Sequence, residues 1–297
     1  MNAENERWFP AKIQLRYTDI DAQGHANNVS VVELMQQART QILESGSAQQ
    51  SLLGSGVVVT SHEVNYTAPI RYSAEYLDIL VGVSKLGGAK FEMAYQIFQD
   101  GKLCVTATTS LCPFDFESQY PRRLKPEERD FFEQWRVSAP SLEPLPRPAI
   151  GAAGHVTIAQ PRWSDIDGYG HVNNVVQLNY LMLGRIDATV SADPSTARAG
   201  IEVGDEGSRR LSWVIVRQDV QYVRQVSYRA EPYEVCTAVT RVGSKSLALA
   251  AELRREGDRE PFTTGQVVLV AVDPETGSAV ELPQSTKQAM NCLLVNL

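Results

Sequence analysis

One segment of the chain occurs twice. Residues 16–29 read RYTDIDAQGHANNV and residues 162–175 read RWSDIDGYGHVNNV, with nine identities in fourteen positions at an offset of 162 − 16 = 146. Weaker matches follow at an offset of 222 − 66 = 156, such as Tyr66 opposite Tyr222. A repeat of this length far exceeds the roughly 20–50 residues of solenoid units, so we expect two copies of a whole domain.

Composition excludes several classes of protein. The 297 residues carry 28 Lys and Arg against 35 Asp and Glu, which gives a net charge of 28 − 35 = −7. An acidic chain without a basic run is a poor partner for nucleic acid or an anionic membrane. The sequence has no apolar stretch of membrane-spanning length, and Met1–Pro10 lacks the features of a signal peptide, so a cytoplasmic protein is expected.

Each copy has the same predicted order of elements. An alternating strand over 11–17 precedes the repeated segment, and apolar positions from Val29 to Leu43 indicate a helix. Four strands then follow in each copy, with hairpin turns at dipeptides such as Gly87-Gly88 and Asp100-Gly101. They are predicted at 57–67, 75–86, 89–100 and 102–115, and at 211–223, 231–242, 246–256 and 261–273. This α+β order predicts, in each copy, an antiparallel curled sheet wrapped around a central helix.

The domain boundaries follow from these elements. We predict an N-terminal domain at 10–120, a helix and Pro-rich linker at 121–150, and a C-terminal domain at 151–285. Within the linker, the apolar stripe of Pro126–Trp135 indicates a short helix. An insertion at 191–210 in the second copy is interpreted as a surface loop.

The repeated segment places an Asp just before a predicted helix start. An ionised carboxylate can attack an acyl carbon or deprotonate water, and backbone N–H groups at the positive end of a helix can stabilise an oxyanion. This pairing favours acyl transfer. The candidate catalytic residues are Asp21, Asp167, His25 and His171, and the candidate substrate-binding residues are Gly24, Asn28, Gly170 and Asn174.

The pattern Asp-x-Asp-x-x-Gly-His-x-Asn-Asn before a helix resembles the signature of hot-dog-fold thioesterases of the 4-hydroxybenzoyl-CoA thioesterase-like branch. The resemblance covers about 10–118 and 155–275. It implies a tandem double hot dog, with the two sheets joined edge to edge and each site between the two copies. It also implies that Asp21 and Asp167 act as nucleophile or general base, while the amides of Asn28 and Asn174 polarise the thioester carbonyl.

The same segment also resembles, more weakly, plant acyl-carrier-protein thioesterases. The His of their loop corresponds to His25 and His171, but the Asn of their site is replaced by Gln23 and Tyr169. This departure favours an acyl-CoA thioesterase of fatty acid metabolism over an acyl-carrier-protein thioesterase. A binding module that senses acyl-CoA or acyl-carrier protein without turnover is the alternative from another class, because a fold does not fix function.

Spacing argues against a metal site. The segment that begins at Asp19 starts like a calcium loop, but Ser30 occupies its twelfth position, where a bidentate Glu is needed. The four cysteines are far apart and lack zinc-site spacing. We therefore expect no metal and no cofactor, an acyl-CoA substrate as the main partner, and a possible further assembly into a homodimer of double hot dogs.

Overall fold

A computed structural model describes residues 6–46, 52, 56–139, 142–150, 153–197 and 212–295. The chain divides into two compact units, residues 1–144 and 145–297. The segment predicted as helix and linker, 121–150, is shared between them.

The first unit consists of one long helix and a five-stranded antiparallel sheet. Its elements are β1 (Phe9–Gln14), α1 (Asn28–Glu44), β2 (Val57–Tyr66), β3 (Tyr76–Leu86), β4 (Phe91–Gln99), β5 (Lys102–Asp115), the short β6 (Tyr120–Pro121) and α2 (Pro126–Glu133). The strands lie in the order β1-β3-β4-β5-β2, and β6 pairs with the end of β5.

The second unit repeats this plan. Its elements are β7 (His155–Ala159), α3 (Asn174–Ala192), β8 (Ser212–Tyr222), β9 (Tyr233–Val242), β10 (Ser246–Arg254), β11 (Thr263–Val272) and α4 (Gln284–Asn291). The strand order β7-β9-β10-β11-β8 corresponds strand for strand to that of the first unit. The predicted helices and strands are confirmed to within a few residues, and the duplication is visible in the topology.

The predicted hairpins also form where the turn dipeptides stand. Asp100 and Gly101 connect β4 to β5, and both have positive φ, +52° and +73°. A two-residue turn with both central residues in this region matches the right-handed twist of the flanking strands, which is why Asp-Gly was a usable signal.

The long helices pack on one face of their sheets. Apolar residues of α1 such as Val32, Met35 and Ile42 are fully buried. The apolar residues from Val175 to Ile186 leave little polar circumference on this helix and predict that α3 is surrounded by other elements. However, Leu183 and Ile186 remain 46% and 45% exposed, so the described residues cover one side of this helix and not its circumference.

The short helix α2 belongs with the first unit. Glu128, fully buried, accepts two hydrogen bonds from the Arg122 guanidinium at 2.8 and 2.9 Å. Phe132, also fully buried, stacks on Phe91 of β4 with ring centroids 4.7 Å apart. The predicted helix is therefore confirmed, and its apolar stripe covers part of the first sheet.

Two features lie outside the sequence predictions or outside the described residues. The C-terminal helix α4, with Thr286 and Met290 buried, was not predicted. The surface loop predicted at 191–210 is described only at its start, which is helical: α3 extends to Ala192, and Pro194–Ala197 forms a 3-10 helix. Residues 198–210 of this loop lie outside the described residues. No helix among the described residues is long and apolar enough to cross a membrane.

Candidate functional site

The first acidic loop is a tight backbone turn ahead of α1. The Asp21 N–H donates to the His25 carbonyl at 2.8 Å, and the Gly24 N–H donates to the Asp21 carbonyl at 3.0 Å. Gly24 has φ +75°, a conformation that other residues adopt only at a cost. The Ala26 N–H donates to the Ile70 carbonyl at 2.7 Å, which ties the loop to the chain leaving β2.

The Asp21 carboxylate is partly exposed, and its two oxygens have different surroundings. Oδ1 accepts hydrogen bonds from the Gln23 and His25 N–H groups at 2.8 and 3.2 Å. Oδ2 accepts none from the part of the chain that the structure describes. One oxygen therefore fixes the side chain in the turn, and the other is available to a substrate or to water.

The second loop has the same geometry. The Asp167 N–H donates to the His171 carbonyl at 2.8 Å, and Gly170 has φ +80°. Asp167 Oδ1 accepts the Tyr169 and His171 N–H groups at 2.9 and 3.4 Å. Among described residues, Oδ2 again accepts no hydrogen bond. The repeated sequence thus builds one arrangement twice.

The helix that follows each loop begins at an Asn pair. The side chains of Asn27 and Asn173 cap the helices by accepting the N–H groups of Val29 and Val175 at 2.9 and 2.8 Å. Asn28 and Asn174 are the first helical residues, so their backbone N–H groups lie at the positive end of the helix dipole.

A tyrosine supports each helix start from the neighbouring strand. The Tyr66 hydroxyl donates to the Asn28 carbonyl at 3.2 Å, and the Tyr222 hydroxyl donates to the Asn174 carbonyl at 3.0 Å. These positioning contacts were missed by sequence reasoning, although the recurrence of the two tyrosines in the repeat was a usable signal.

The other acidic residue of each motif braces the turn. Asp19, 8% exposed, accepts the Arg16 N–H at 2.8 Å, and its carbonyl accepts the Asn27 N–H, also at 2.8 Å. Asp165 accepts the Arg162 N–H at 2.7 Å and the Tyr180 hydroxyl at 2.6 Å. Burial, followed by this contact, raises the pKa of Tyr180. Asp19 and Asp165 connect the loop to the helix.

His25 lies between Asp21 and an arginine. Its backbone pairs with that of Arg71. Burial and then the Arg71 charge lower the pKa of His25, while the Asp21 carboxylate acts in the opposite direction. The imidazole is therefore neutral at pH 7 and can donate one hydrogen bond and accept another. His171 occupies the matching position of the second loop, partly exposed like His25.

Within the described residues, no three His, Cys, Asp or Glu side chains come together as a potential metal site.

Comparison with known proteins identifies the family. A model of the thioesterase-like superfamily matches residues 15–141 and again residues 161–290. The uncharacterised protein YsmA of Bacillus subtilis (strain 168) is 31% identical over 132 residues, which cover 43% of this chain and 80% of YsmA.

Two solved structures share the fold over most of their length. A Lactobacillus plantarum protein provisionally named an oleoyl thioesterase has a TM-score of 0.71 at 16% identity, covering 95% of this chain and 99% of that one. The 12:0-ACP thioesterase of Umbellularia californica has a TM-score of 0.71 at 14% identity, covering 89% and 94%. At these identities the likeness concerns the fold.

The family model matches each copy in turn, and the helix-on-sheet unit that it describes occurs twice in the chain. The chain therefore belongs to the thioesterase-like superfamily: it is a thioester hydrolase built from two hot-dog domains in tandem.

Proposed function

We propose that the protein hydrolyses an acyl-CoA thioester to a free acid and coenzyme A, with Asp21 and Asp167 as its catalytic carboxylates. The observation that carries the proposal is that the two oxygens of each carboxylate differ in their hydrogen-bond partners. Oδ1 is held by two loop N–H groups, and Oδ2 accepts no hydrogen bond from described residues. A carboxylate fixed at one oxygen presents the other in a defined direction.

The chemistry follows from this arrangement. Oδ2 either attacks the thioester carbon, giving a mixed anhydride that water then hydrolyses, or takes a proton from the attacking water. In both routes the carbonyl oxygen gains negative charge, and the N–H of Asn28 or Asn174 would stabilise it by roughly 3 kcal/mol. The C–S bond then breaks, the thiolate leaves and takes up a proton, and the acid is released.

The remaining candidates have supporting roles in this proposal. The neutral imidazole of His25 would orient the carbonyl or the attacking water, and His171 occupies the matching position of the second loop. Gly24 and Gly170 would let the substrate approach the backbone, because a Cβ at either position would find no atom within 4 Å. The open space therefore suits a ligand.

The test replaces both aspartates by asparagine. Asn keeps an oxygen for the loop N–H groups but removes the charge, so the turn is preserved. For Asp21→Asn combined with Asp167→Asn, we expect thiol release from a panel of acyl-CoAs to fall at least a hundredfold. Asp130→Asn, on an exposed carboxylate of α2, is the matched control. Release at the parental rate would refute the assignment.

The alternatives have distinct signatures in the same assay. An acyl-carrier-protein thioesterase, the activity for which the Umbellularia californica protein is named, would prefer acyl-carrier protein when both carriers are offered. A sensor would bind acyl-CoA tightly and release no thiol. The acyl-CoA proposal requires turnover with acyl-CoA as the better substrate.

A further inference from the structure

Two exposed aromatic pairs stand beside the acidic loops. In the first unit, Tyr17 and Tyr72 are 80% and 53% exposed, and their rings meet edge to face with centroids 5.9 Å apart. In the second unit, Trp163 and Tyr228 are 76% and 48% exposed, with centroids 5.5 Å apart. The pairs occupy corresponding positions in the two repeats.

Each pair adjoins the segments that hold its loop. Tyr17 opens the 3-10 turn that ends at Asp19, and Tyr72 follows Arg71, whose backbone pairs with His25. Trp163 opens the corresponding turn of the second unit. The pairs therefore stand on the segments that flank and hold the acidic loops and are not scattered surface residues.

Holding the loop does not require these rings to remain in solvent. The turn is already fixed by backbone hydrogen bonds, including those of Asp21 with His25 and of Ala26 with Ile70. Tyr17 and Trp163 stay at least three-quarters exposed, and their partners Tyr72 and Tyr228 about half exposed. Large aromatic side chains left in solvent beside a candidate site indicate a surface that a ligand covers.

We propose that these ring pairs bind the phosphopantetheine arm of the thioester substrate. The inference rests on the proposed function and adds a subsite to it. At the more exposed position of each pair, Tyr17 is matched by Trp163, so this position keeps a flat aromatic ring without keeping the tyrosine hydroxyl. Such a position suits packing against the methyl groups and amides of the arm, and not proton transfer.

Charge beside the rings agrees with this occupant. Arg16 directly precedes Tyr17, and Arg162 directly precedes Trp163. The Arg16 side chain is 75% exposed, with Glu33 at 3.7 Å as its ion-pair partner, and Arg162 is also exposed. An arginine next to the ring that packs on the arm can bind the phosphate at the arm's far end.

The arm occurs in both coenzyme A and acyl-carrier protein, so the test uses substrates with and without it. One acyl group is offered as the CoA, pantetheine, carrier-protein and simple S-ethyl thioesters. The variant Tyr17→Leu combined with Trp163→Leu removes both rings, and Phe at both positions retains them. Tyr120→Leu, on a 72% exposed tyrosine of β6, is the matched control.

We expect the leucine variant to raise KM roughly fivefold for the three substrates that carry the arm, with kcat maintained and a much smaller effect on the S-ethyl thioester. The phenylalanine variant should restore the parental KM. Arg16→Gln with Arg162→Gln should raise KM for the CoA and carrier-protein substrates but not for the pantetheine thioester, which has no phosphate. The parental preference between the two phosphate-bearing substrates identifies the source of the arm.

Equal losses on all four substrates would show that the rings only support the loop, and unchanged KM values would show that they do not touch the arm. Either result overturns the subsite while acyl-CoA hydrolysis stands. A parental protein that releases thiol from none of the arm-bearing substrates would defeat the proposed function, and the subsite with it.

Discussion

The two acidic loops share their backbone but are held by different side chains. In the second unit, α3 reaches back to the loop twice: the Tyr180 hydroxyl binds Asp165, and the Gln177 amide donates to the Val172 carbonyl at 2.8 Å. The Thr263 hydroxyl in turn donates to Gln177.

The first unit has apolar residues at both helix positions, Val31 and Leu34, which are 1% and 5% exposed. Its polar feature is instead Arg71 beside His25, where the second unit has Ser227. Duplication preserved the groups proposed to react, whereas their supports diverged. We therefore expect two competent loops, the second being the more firmly positioned.

The largest effect should come from replacing the two catalytic carboxylates one at a time. If both loops catalyse hydrolysis, each of the single variants Asp21→Asn and Asp167→Asn should retain measurable thiol release. The larger loss is expected for Asp167→Asn, because the second loop has more side-chain support. Steady-state kcat of the two variants and of the double variant checks this. Complete loss from one substitution would mean that the other loop is vestigial.

A second contrast concerns a buried strand position, His62 of β2 against Gln218 of β8. His62 is 1% exposed and bonds Thr109 at 2.9 Å; burial and then Arg39 lower its pKa to about 3. In the unfolded chain the His62 imidazole takes up a proton near pH 6.5, whereas in the folded chain it does so only near pH 3. The free energy of unfolding therefore keeps its full value above pH 6.5 and declines as the pH falls towards 3.

For His62→Gln we therefore expect the acid-induced loss of unfolding free energy to shrink by a few kcal/mol between pH 6.5 and pH 3. Denaturant titrations at several pH values measure the slope. An unchanged slope would show that His62 is not the group whose protonation destabilises the first unit.

Removing the hydroxyl of Tyr180 should weaken the second loop alone. A hydrogen bond to a charged group contributes about 1.5–3 kcal/mol, so Tyr180→Phe should lower the unfolding free energy by about that amount. In the Asp21→Asn background it should also lower kcat. Tyr66→Phe and Tyr222→Phe remove a contact common to both units and serve as the matched pair. If Tyr180→Phe affected kcat only in the Asp167→Asn background, the comparison would fail.

The two loop glycines should respond alike, because their backbone is alike. Alanine at Gly24 or Gly170 meets no neighbouring atom but must adopt positive φ, which costs about 1 kcal/mol. Gly168→Ala is the control, since Gly168 has no positive φ and the first loop carries Ala22 there. Unfolding midpoints measure all three, and a clear difference between the Gly24 and Gly170 variants would show that the turns are not equivalent.

The smallest expected effect concerns Arg71. Replacing it with serine, the residue of the second unit, removes one of the two causes that lower the pKa of His25, so that pKa should rise while burial keeps it below the usual range. An NMR titration of the His25 ring protons records the change. A pKa that stays fixed would assign the whole shift to burial.

The repeat, the helix starts and the hairpins were predictable because each depends on local signals, namely apolar period, capping side chains and turn dipeptides. Contacts between residues far apart in the sequence were not predictable. Nothing in the sequence indicates that Tyr180 reaches Asp165 or that Arg39, 6% exposed, donates to Tyr95. The exposed faces of Leu183 and Ile186 were missed for the same reason, since composition does not determine which side of a helix its neighbours cover.

The segment from α2 to Val137 determines where the chain can be truncated. A polypeptide that stopped at residue 120 would lack Phe132, leaving Phe91 without its stacking partner, and would also lack Val137, whose N–H donates to the Val83 carbonyl at 3.1 Å. An N-terminal fragment prepared for biophysical work should thus extend past Val137. Proteolysis that releases a shorter fragment should yield a poorly folded product that aggregates.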